Sequence, residues 1–123
     1  PHFTNSEKID LYEFVNTLSN TLPDNCSLVT DSGFIEVILP TNFNFGNGQR
    51  SIHPFSQGSM GFALPGSLGA YYASNEPVFV IVGDGSIMMN LQELQTISHN
   101  KIPIKIIIIN NNVYGIIRRR QEE

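Results

Sequence analysis

The sequence has little cysteine, few basic side chains and no long apolar run, and each shortage argues against a class of protein. One cysteine, Cys26, cannot form an internal disulfide, which suits a reducing compartment. Seven Lys and Arg against eleven Asp and Glu, a net charge of −4, argue against nucleic acid as the main partner. No apolar run approaches the length that spans a bilayer, and no signal peptide is visible. We therefore expect a cytoplasmic protein with neither a membrane nor a nucleic-acid partner.

Length and composition indicate one folded domain. The 123 residues are 41% hydrophobic and 15% charged, which is ordinary for a globular protein. A chain of this length buries about two-thirds of its unfolded surface. It begins at Pro1 and ends just after the start of a predicted helix, so we expect residues 1–123 to be part of a longer protein.

The most informative stretch is residues 78–86. Its five apolar residues, 78–82, lead directly into Gly83-Asp84-Gly85-Ser86. A short β-branched run bounded by glycine is typical of a strand buried on both faces of a parallel sheet. The turn would lie at the carboxyl end of that strand and at a helix N-terminus, where α/β proteins bind phosphate. An aspartate does not suit a site for an anion alone, so it predicts a cation bound together with the phosphate.

The rest of the chain alternates helices with short strands, which predicts a three-layer α/β/α fold around a parallel sheet. Helices are predicted from Ser6 and Glu7 to Pro23, over 34–39 with a stop at Pro40, and over 87–100. The other strands are predicted at 27–30, 51–53 and 104–109, the last of them buried, and turn residues fill 42–48.

Three asparagines, 110–112, follow the last predicted strand. Strand, helix and strand in this order form a right-handed βαβ unit, so Asp84 and the asparagines would lie side by side. Magnesium prefers an octahedral set of oxygens, shared between a carboxylate and substrate phosphates. Asp84, the Asn111 amide oxygen and a backbone carbonyl just beyond would supply such ligands. Gly85 and Ser86 would offer N–H groups to phosphate, with glycine avoiding a side-chain clash.

Residues 58–70, Gly-Ser-Met-Gly-Phe-Ala-Leu-Pro-Gly-Ser-Leu-Gly-Ala, contain more glycine than helix propensity would select. The glycines would let a helix pack closely on the sheet, or let the backbone approach a ligand. Both explanations stay open here. The amino-terminal glycines suit the ligand and the later ones suit packing.

Two motifs in this order resemble thiamine-diphosphate-dependent enzymes of the acetolactate synthase and pyruvate decarboxylase group. Gly83-Asp84-Gly85 and Asn110-Asn111 are separated by 24 residues, 86–109, similar to the family's GDG and NN signature. Residues 58–62 resemble the family's aminopyrimidine-binding stretch. The resemblance continues through 114–118 and covers the chain from about residue 6 to its end.

The resemblance implies that the cofactors are thiamine diphosphate and Mg²⁺. It implies that the metal ligands are Asp84, Asn111 and the carbonyl of Val113. For the diphosphate, the resemblance implies contacts from Gly85 and Ser86, together with backbone N–H groups near Gly115 and Ile116. For the ring end of the cofactor, it implies that Ile117 packs on the thiazolium ring and that the Gly58 carbonyl accepts a hydrogen bond from the 4′-amino group. Met60 is implied as the apolar wedge that bends the cofactor. The bend brings the amino group close to the thiazolium C2, whose proton an internal base can then remove. For Met60 and Ile117, a plain core position is the alternative.

The resemblance further implies the C-terminal diphosphate-binding domain of an enzyme that decarboxylates a 2-oxo acid or ligates the resulting acyl carbanion. The family's catalytic glutamate belongs to the pyrimidine-binding domain of a neighbouring subunit, so a homodimer or homotetramer is implied. Glu36, Glu76 and Glu93 match no such motif. The family's sheet continues beyond the fourth strand, so an open edge would destabilise this chain alone or make it associate. In acetolactate synthases a Gln-His pair contacts the diphosphate where this chain has Phe34-Ile35.

Two other functions stay open. One is a non-catalytic binding or assembly module of the same fold, inactive as an isolated chain. The other is a different α/β phosphate binder, such as a flavodoxin-like or nucleotide-binding domain. Asp84 and Asn111 argue against both.

The remaining candidates are single residues. His53 is either part of a substrate pocket, since histidine titrates near neutral pH, or a partly exposed residue before a proline, which we favour. His99 is expected to cap a helix end, and the three scattered histidines do not make a zinc site. The arginines at 118–120 are expected to form a solvated face, and Cys26 to be structural.

Overall fold

Four parallel strands form the middle layer of the computed structural model, which describes residues 8–123. The strands are β1 (Ser27–Thr30), β2 (Arg50–Ile52), β3 (Val78–Gly83) and β4 (Lys105–Ile109), in the spatial order β2-β1-β3-β4. In β3, Val80 pairs with Val29 on one side and with Ile106 on the other. The predicted parallel sheet is confirmed.

Helices cover both faces of this sheet and complete the three predicted layers. They are α1 (Leu11–Thr21), α2 (Phe34–Asn42), α3 (Ala63–Ser74), α4 (Asp84–Ile87), α5 (Glu93–His99) and α6 (Gly115–Glu122). α1 and α2 pack on one face, where Val15 and Leu39 meet Ile81. α3 and α5 pack on the other face, where Leu64 and Ile97 meet Val80. β3 is therefore buried on both faces, as its apolar run predicted.

Two helix boundaries differ from the prediction. α1 begins at Leu11 because the Asp10 carboxylate caps it, accepting hydrogen bonds from the N–H groups of residues 12 and 13. The predicted start at Ser6 and Glu7 lies outside the described residues. The predicted stop at Pro40 is wrong, since α2 continues to Asn42. Side chains hold its last turn, because the Thr41 hydroxyl and the Asn42 amide donate to backbone carbonyls one turn earlier.

The predicted helix over 87–100 is also wrong in detail. α4 ends at Ile87, a 3₁₀ turn covers Met88–Asn90, and α5 starts at Glu93. The backbone angles at Met88 and Leu91 stay in the right-handed helical region. The chain therefore continues from α4 as a narrower 3₁₀ turn and does not leave the helical path. The 3₁₀ turn carries Asn90, whose side chain donates a hydrogen bond to the Gly61 carbonyl.

The two outer strands differ from their predicted positions or burial. β2 covers Arg50–Ile52 rather than 51–53. β4 starts at Lys105, and Ile108 in it is 51% exposed, so the strand is not fully buried. The reason is position: β4 is an edge strand, paired only with β3 among the described residues. No helix in the described part of the chain is both long enough and apolar enough to cross a membrane.

Candidate functional site: a cavity at the carboxyl edge of the sheet

The carboxyl ends of β3 and β4 bring the predicted metal ligands together. Gly83 pairs with Ile109, so Asp84 and the asparagine turn both leave the sheet at the same edge. The Asn112 N–H donates a 3.0 Å hydrogen bond to Oδ2 of Asp84. The Val113 N–H donates to Oδ1 of Asn111 at 3.3 Å. The predicted juxtaposition of the two turns is confirmed, and the hydrogen bond from Asn112 to Asp84 joins them.

A cavity of about 220 Å³ opens at this edge. The predicted site residues that line it are Gly58, Met60, Asp84, Gly85, Ser86, Asn111, Val113, Gly115, Ile116 and Ile117. No residue predicted for the site lies elsewhere among the described residues. Ile117 is 52% exposed in this chain, so it does not belong to the buried core of the described residues. The contacts of these residues with a cofactor stay predictions.

The oxygen atoms available in this cavity suit magnesium. Asp84 is the acidic residue that lines it, and Asn111 brings an amide oxygen and Val113 a backbone carbonyl. No group of three or more His, Cys, Asp or Glu side chains gathers as a metal site within residues 8–123. The protein would thus supply one charged ligand and two neutral ones, and a partner with phosphate oxygens would have to supply more. That is the way magnesium is usually bound in proteins.

Two aromatic side chains, Tyr114 and Phe34, line the cavity, and each lies close to a glycine. A Cβ on Gly85 would clash with the Tyr114 ring, so a side chain there would require this half-exposed ring to move. The predicted clash of a side chain here with phosphate stays a prediction. A Cβ on Gly115 would lie 2.9 Å from the Phe34 ring. Phe34 therefore forms an apolar wall of the cavity at the start of α6.

The loop that carries Gly58 and Met60 turns twice through left-handed backbone. Gly58 has φ +58° and Gly61 has φ +84°, conformations that favour glycine. The expectation that later glycines serve packing on the sheet finds no support. A Cβ on Gly66 would meet the Phe62 ring of its own helix end at 2.9 Å, and one on Gly69 would meet nothing within 4 Å.

Sequence reasoning missed two residues that build this loop. Asp31 is fully buried and accepts hydrogen bonds from the N–H groups of Ser32, Gly61 and Ala63. The sequence does contain an indication of Asp31, because Asp31 is an acidic residue directly after a predicted strand, as Asp84 is. Asn90 donates to the Gly61 carbonyl at 2.6 Å. Nothing in the sequence sets Asn90 apart from other polar residues of an amphipathic segment.

The other candidates lie outside the cavity. His53 is half-buried and its ring contacts Phe55 edge-on at 5.6 Å, which agrees with the favoured interpretation. His99 ends α5. Two of the three arginines form exposed ion pairs along α6, with Glu122 and Glu123. Cys26 is fully buried, and burial raises the pKa of its thiol. His2 lies outside the described residues.

Glu36 is a buried residue of α2 that does not line the cavity. Burial raises the pKa of Glu36, opposed by the charge of His53 and assisted by that of Asp31. Its Oε1 atom has no hydrogen-bond partner among the described residues. A folded state that binds this proton more tightly than the unfolded state loses stability as pH rises through the raised pKa.

We therefore expect Glu36→Gln to increase the free energy of unfolding at neutral pH, with the gain disappearing below the ordinary pKa of 4.5. Chemical denaturation at several pH values measures this difference. Glu13→Gln, at an exposed position of α1, is the control and should show no such trend. A loss of stability at neutral pH on Glu36→Gln would mean that attraction to His53 outweighs burial.

Comparison with known proteins decides the family. Residues 31–123 match the family described as "Thiamine pyrophosphate enzyme, C-terminal TPP binding domain". The chain belongs to this family. The match identifies it as a C-terminal thiamine-diphosphate-binding domain, and it speaks against a flavodoxin-like or nucleotide-binding domain.

Relatives of this thiamine-diphosphate-binding domain are large subunits of acetolactate synthases. The isozyme 1 large subunit of Escherichia coli (strain K12) is 32% identical over 111 residues, 89% of this chain and 20% of the relative. The isozyme 2 large subunit of the same organism is 36% identical over 106 residues, 85% of this chain and 19% of the relative. The Porphyra purpurea subunit is 50% identical over 66 residues, 53% of this chain and 11% of the relative. The chain thus spans about a fifth of the length of the two bacterial relatives.

Proposed function

We propose that this domain binds thiamine diphosphate through Mg²⁺, within a protein that decarboxylates a 2-oxo acid or ligates the resulting acyl carbanion. The observation that supports the proposal is the convergence of Asp84, Asn111, Gly58 and Met60 on one cavity. The first pair offers oxygen ligands to a metal, and the second pair matches the stretch that contacts the aminopyrimidine in the family. Bound thiamine diphosphate supplies the carbon nucleophile and the electron sink for decarboxylation.

The chain's own residues would hold and orient the cofactor. Asp84, Asn111 and the Val113 carbonyl would bind Mg²⁺, while Gly85 and Ser86 would donate N–H groups to the diphosphate. The N–H groups at Gly115 and Ile116 begin α6 and would add to the same anion site.

The apolar residues would act on the ring end of the cofactor. Met60 and Ile117 would press on its rings, and the Gly58 carbonyl would accept a hydrogen bond from its 4′-amino group. Phe34 and Tyr114 line the same cavity and would keep water from it.

We further propose that a second domain completes the site. The cavity, about 220 Å³, is smaller than the roughly 300 Å³ at which ligand pockets usually begin. None of Glu36, Glu76 and Glu93 lines it, so the activating glutamate would come from the pyrimidine-binding domain of a neighbouring subunit. The protein would then be a homodimer or homotetramer, located in the cytoplasm.

An assay of carbon dioxide release tests the catalytic proposal. The full-length protein would be given thiamine diphosphate, Mg²⁺ and pyruvate, the simplest 2-oxo acid with a methyl group. We expect carbon dioxide release that depends on added cofactor, with acetolactate formed from two pyruvates if the protein is a carboligase. Mass spectrometry identifies the product. Bound cofactor without release from pyruvate, 2-oxobutyrate or phenylpyruvate would favour the alternative, a non-catalytic binding or assembly module.

A further inference from the structure

Gly61 is held from both sides by residues that come from different parts of the chain. Its N–H donates a 2.9 Å hydrogen bond to Oδ1 of Asp31, at the end of β1. Its carbonyl accepts a 2.6 Å hydrogen bond from Nδ2 of Asn90, in the 3₁₀ turn after α4. Gly61 is buried, and it directly follows Met60 in the loop that lines the cavity.

Asp31 is organised to fix this loop. The side chain is 0% exposed, and its second oxygen, Oδ2, accepts a 3.0 Å hydrogen bond from the Ala63 N–H at the start of α3. Hydrogen bonds from N–H groups to a carboxylate are stronger than those to a neutral acceptor. A helix N-terminus also favours a nearby negative charge. Asp31 therefore fixes both the turn at Gly61 and the first residue of α3.

Asn90 connects this loop to the predicted metal-binding turn. Asp84 starts α4, and the 3₁₀ turn that contains Asn90 follows that helix directly. The approach at Gly61 is close, because an added Cβ would lie 2.9 Å from Asn90 Nδ2 and 2.9 Å from Met89 Cβ. The position of Gly61 relative to Asp84 is thus set through one hydrogen bond and one tight contact.

We propose that Asp31 and Asn90 are positioning residues that fix the distance between the two halves of the cofactor site. They act through Gly61, since neither of them lines the cavity. One half is the Gly58–Met60 turn, for the aminopyrimidine end, and the other is the Asp84–Ser86 turn, for the diphosphate. This inference rests on the proposed function, because it concerns how the same site accepts a ligand that reaches both halves.

Two ligands separate positioning from simple damage to the fold. Thiamine diphosphate needs both halves, whereas inorganic diphosphate with Mg²⁺ needs only the Asp84 half. In Asp31→Asn, the new NH₂ group would face an N–H donor at Gly61 or Ala63. In Asn90→Leu, the Gly61 carbonyl loses its donor without any change of charge.

In the full-length protein, we expect either variant to bind thiamine diphosphate with Mg²⁺ roughly ten- to a hundredfold more weakly by calorimetry. Affinity for Mg²⁺ with inorganic diphosphate should stay within about twofold of the unmodified protein, which is near the resolution of such comparisons. The matched control is Asn100→Leu, which removes an Nδ2 hydrogen bond to the Thr96 carbonyl at the far end of α5. This control should change neither affinity.

The outcomes are distinct. Unmodified protein that fails to bind thiamine diphosphate with Mg²⁺ contradicts the proposed function itself. Unmodified protein that binds, together with Asp31→Asn and Asn90→Leu variants that bind equally well, overturns the positioning role alone. Equal losses for both ligands also overturn it, because they would point to general damage. If Asp31→Asn does not fold, Asn90→Leu carries the test, since Asn90 is only partly buried.

Discussion

Replacing Asp84 by alanine is expected to weaken magnesium-dependent binding of thiamine diphosphate by more than about a hundredfold. Asp84 is the acidic residue that lines the cavity, so its loss leaves a doubly charged cation with only neutral protein ligands. The same carboxylate accepts the Asn112 N–H, so the turn that presents Asn111 also loses its anchor. Isothermal calorimetry of the full-length protein, with and without Mg²⁺, measures both effects.

Two further variants separate charge from structure in this experiment. Asp84→Asn keeps an oxygen for the Asn112 N–H but lacks the negative charge, so it should bind the cofactor almost as poorly as Asp84→Ala. Asp24→Ala removes an exposed acid and serves as the control for net charge, with no expected change. If Asp84→Ala binds thiamine diphosphate with Mg²⁺ as tightly as the unmodified protein, Asp84 is not a metal ligand.

The largest effect on stability is expected at Ile81. This residue is 0% exposed at the centre of β3, pairs with Thr30 and Ile107, and packs against Leu39. Ile81→Ala should lower the free energy of unfolding by about 2–5 kcal/mol, because it removes buried methyl groups and leaves a cavity. Denaturant unfolding of the 123-residue chain at low concentration, followed by circular dichroism, measures the loss.

The control for this change is the same substitution at a solvated site. Ile9 is 85% exposed, and Ile9→Ala should change the free energy of unfolding by no more than about 0.5 kcal/mol. Similar costs at both positions would contradict the description of β3 as the buried centre of the sheet.

Local pattern was sufficient to predict the centre of the molecule. The apolar run of β3 could be assigned because a strand buried on both faces reads as a continuous β-branched segment. The parallel strands of the predicted βαβ unit then placed the Asp84 turn beside the asparagine turn, which the 3.0 Å hydrogen bond from the Asn112 N–H to Asp84 confirms. Propensity failed at Pro40, where side-chain hydrogen bonds from Thr41 and Asn42 carry the helix past a residue that usually ends one.

The parts of the site that could not be predicted depend on contacts between distant segments. Asp31 and Gly61 are 30 positions apart, and Asn90 and Gly61 are 29 apart, so no local pattern reports their hydrogen bonds. The position of the Tyr114 ring beside Gly85 is likewise a tertiary contact that no local pattern reports. The exposure of Ile108 follows from its edge strand, which sequence alone does not distinguish from a central one.

One titration tests the central claim, that Asp84 and Asn111 hold thiamine diphosphate through a metal ion. The full-length protein is titrated with thiamine diphosphate by calorimetry, once with Mg²⁺ and once with excess chelator. We predict saturable binding with Mg²⁺ and no measurable binding in the chelator. Without a cation, the Asp84 carboxylate would repel the diphosphate. Equal affinity in the two titrations would therefore contradict the claim that Asp84 and Asn111 hold the cofactor through a metal ion.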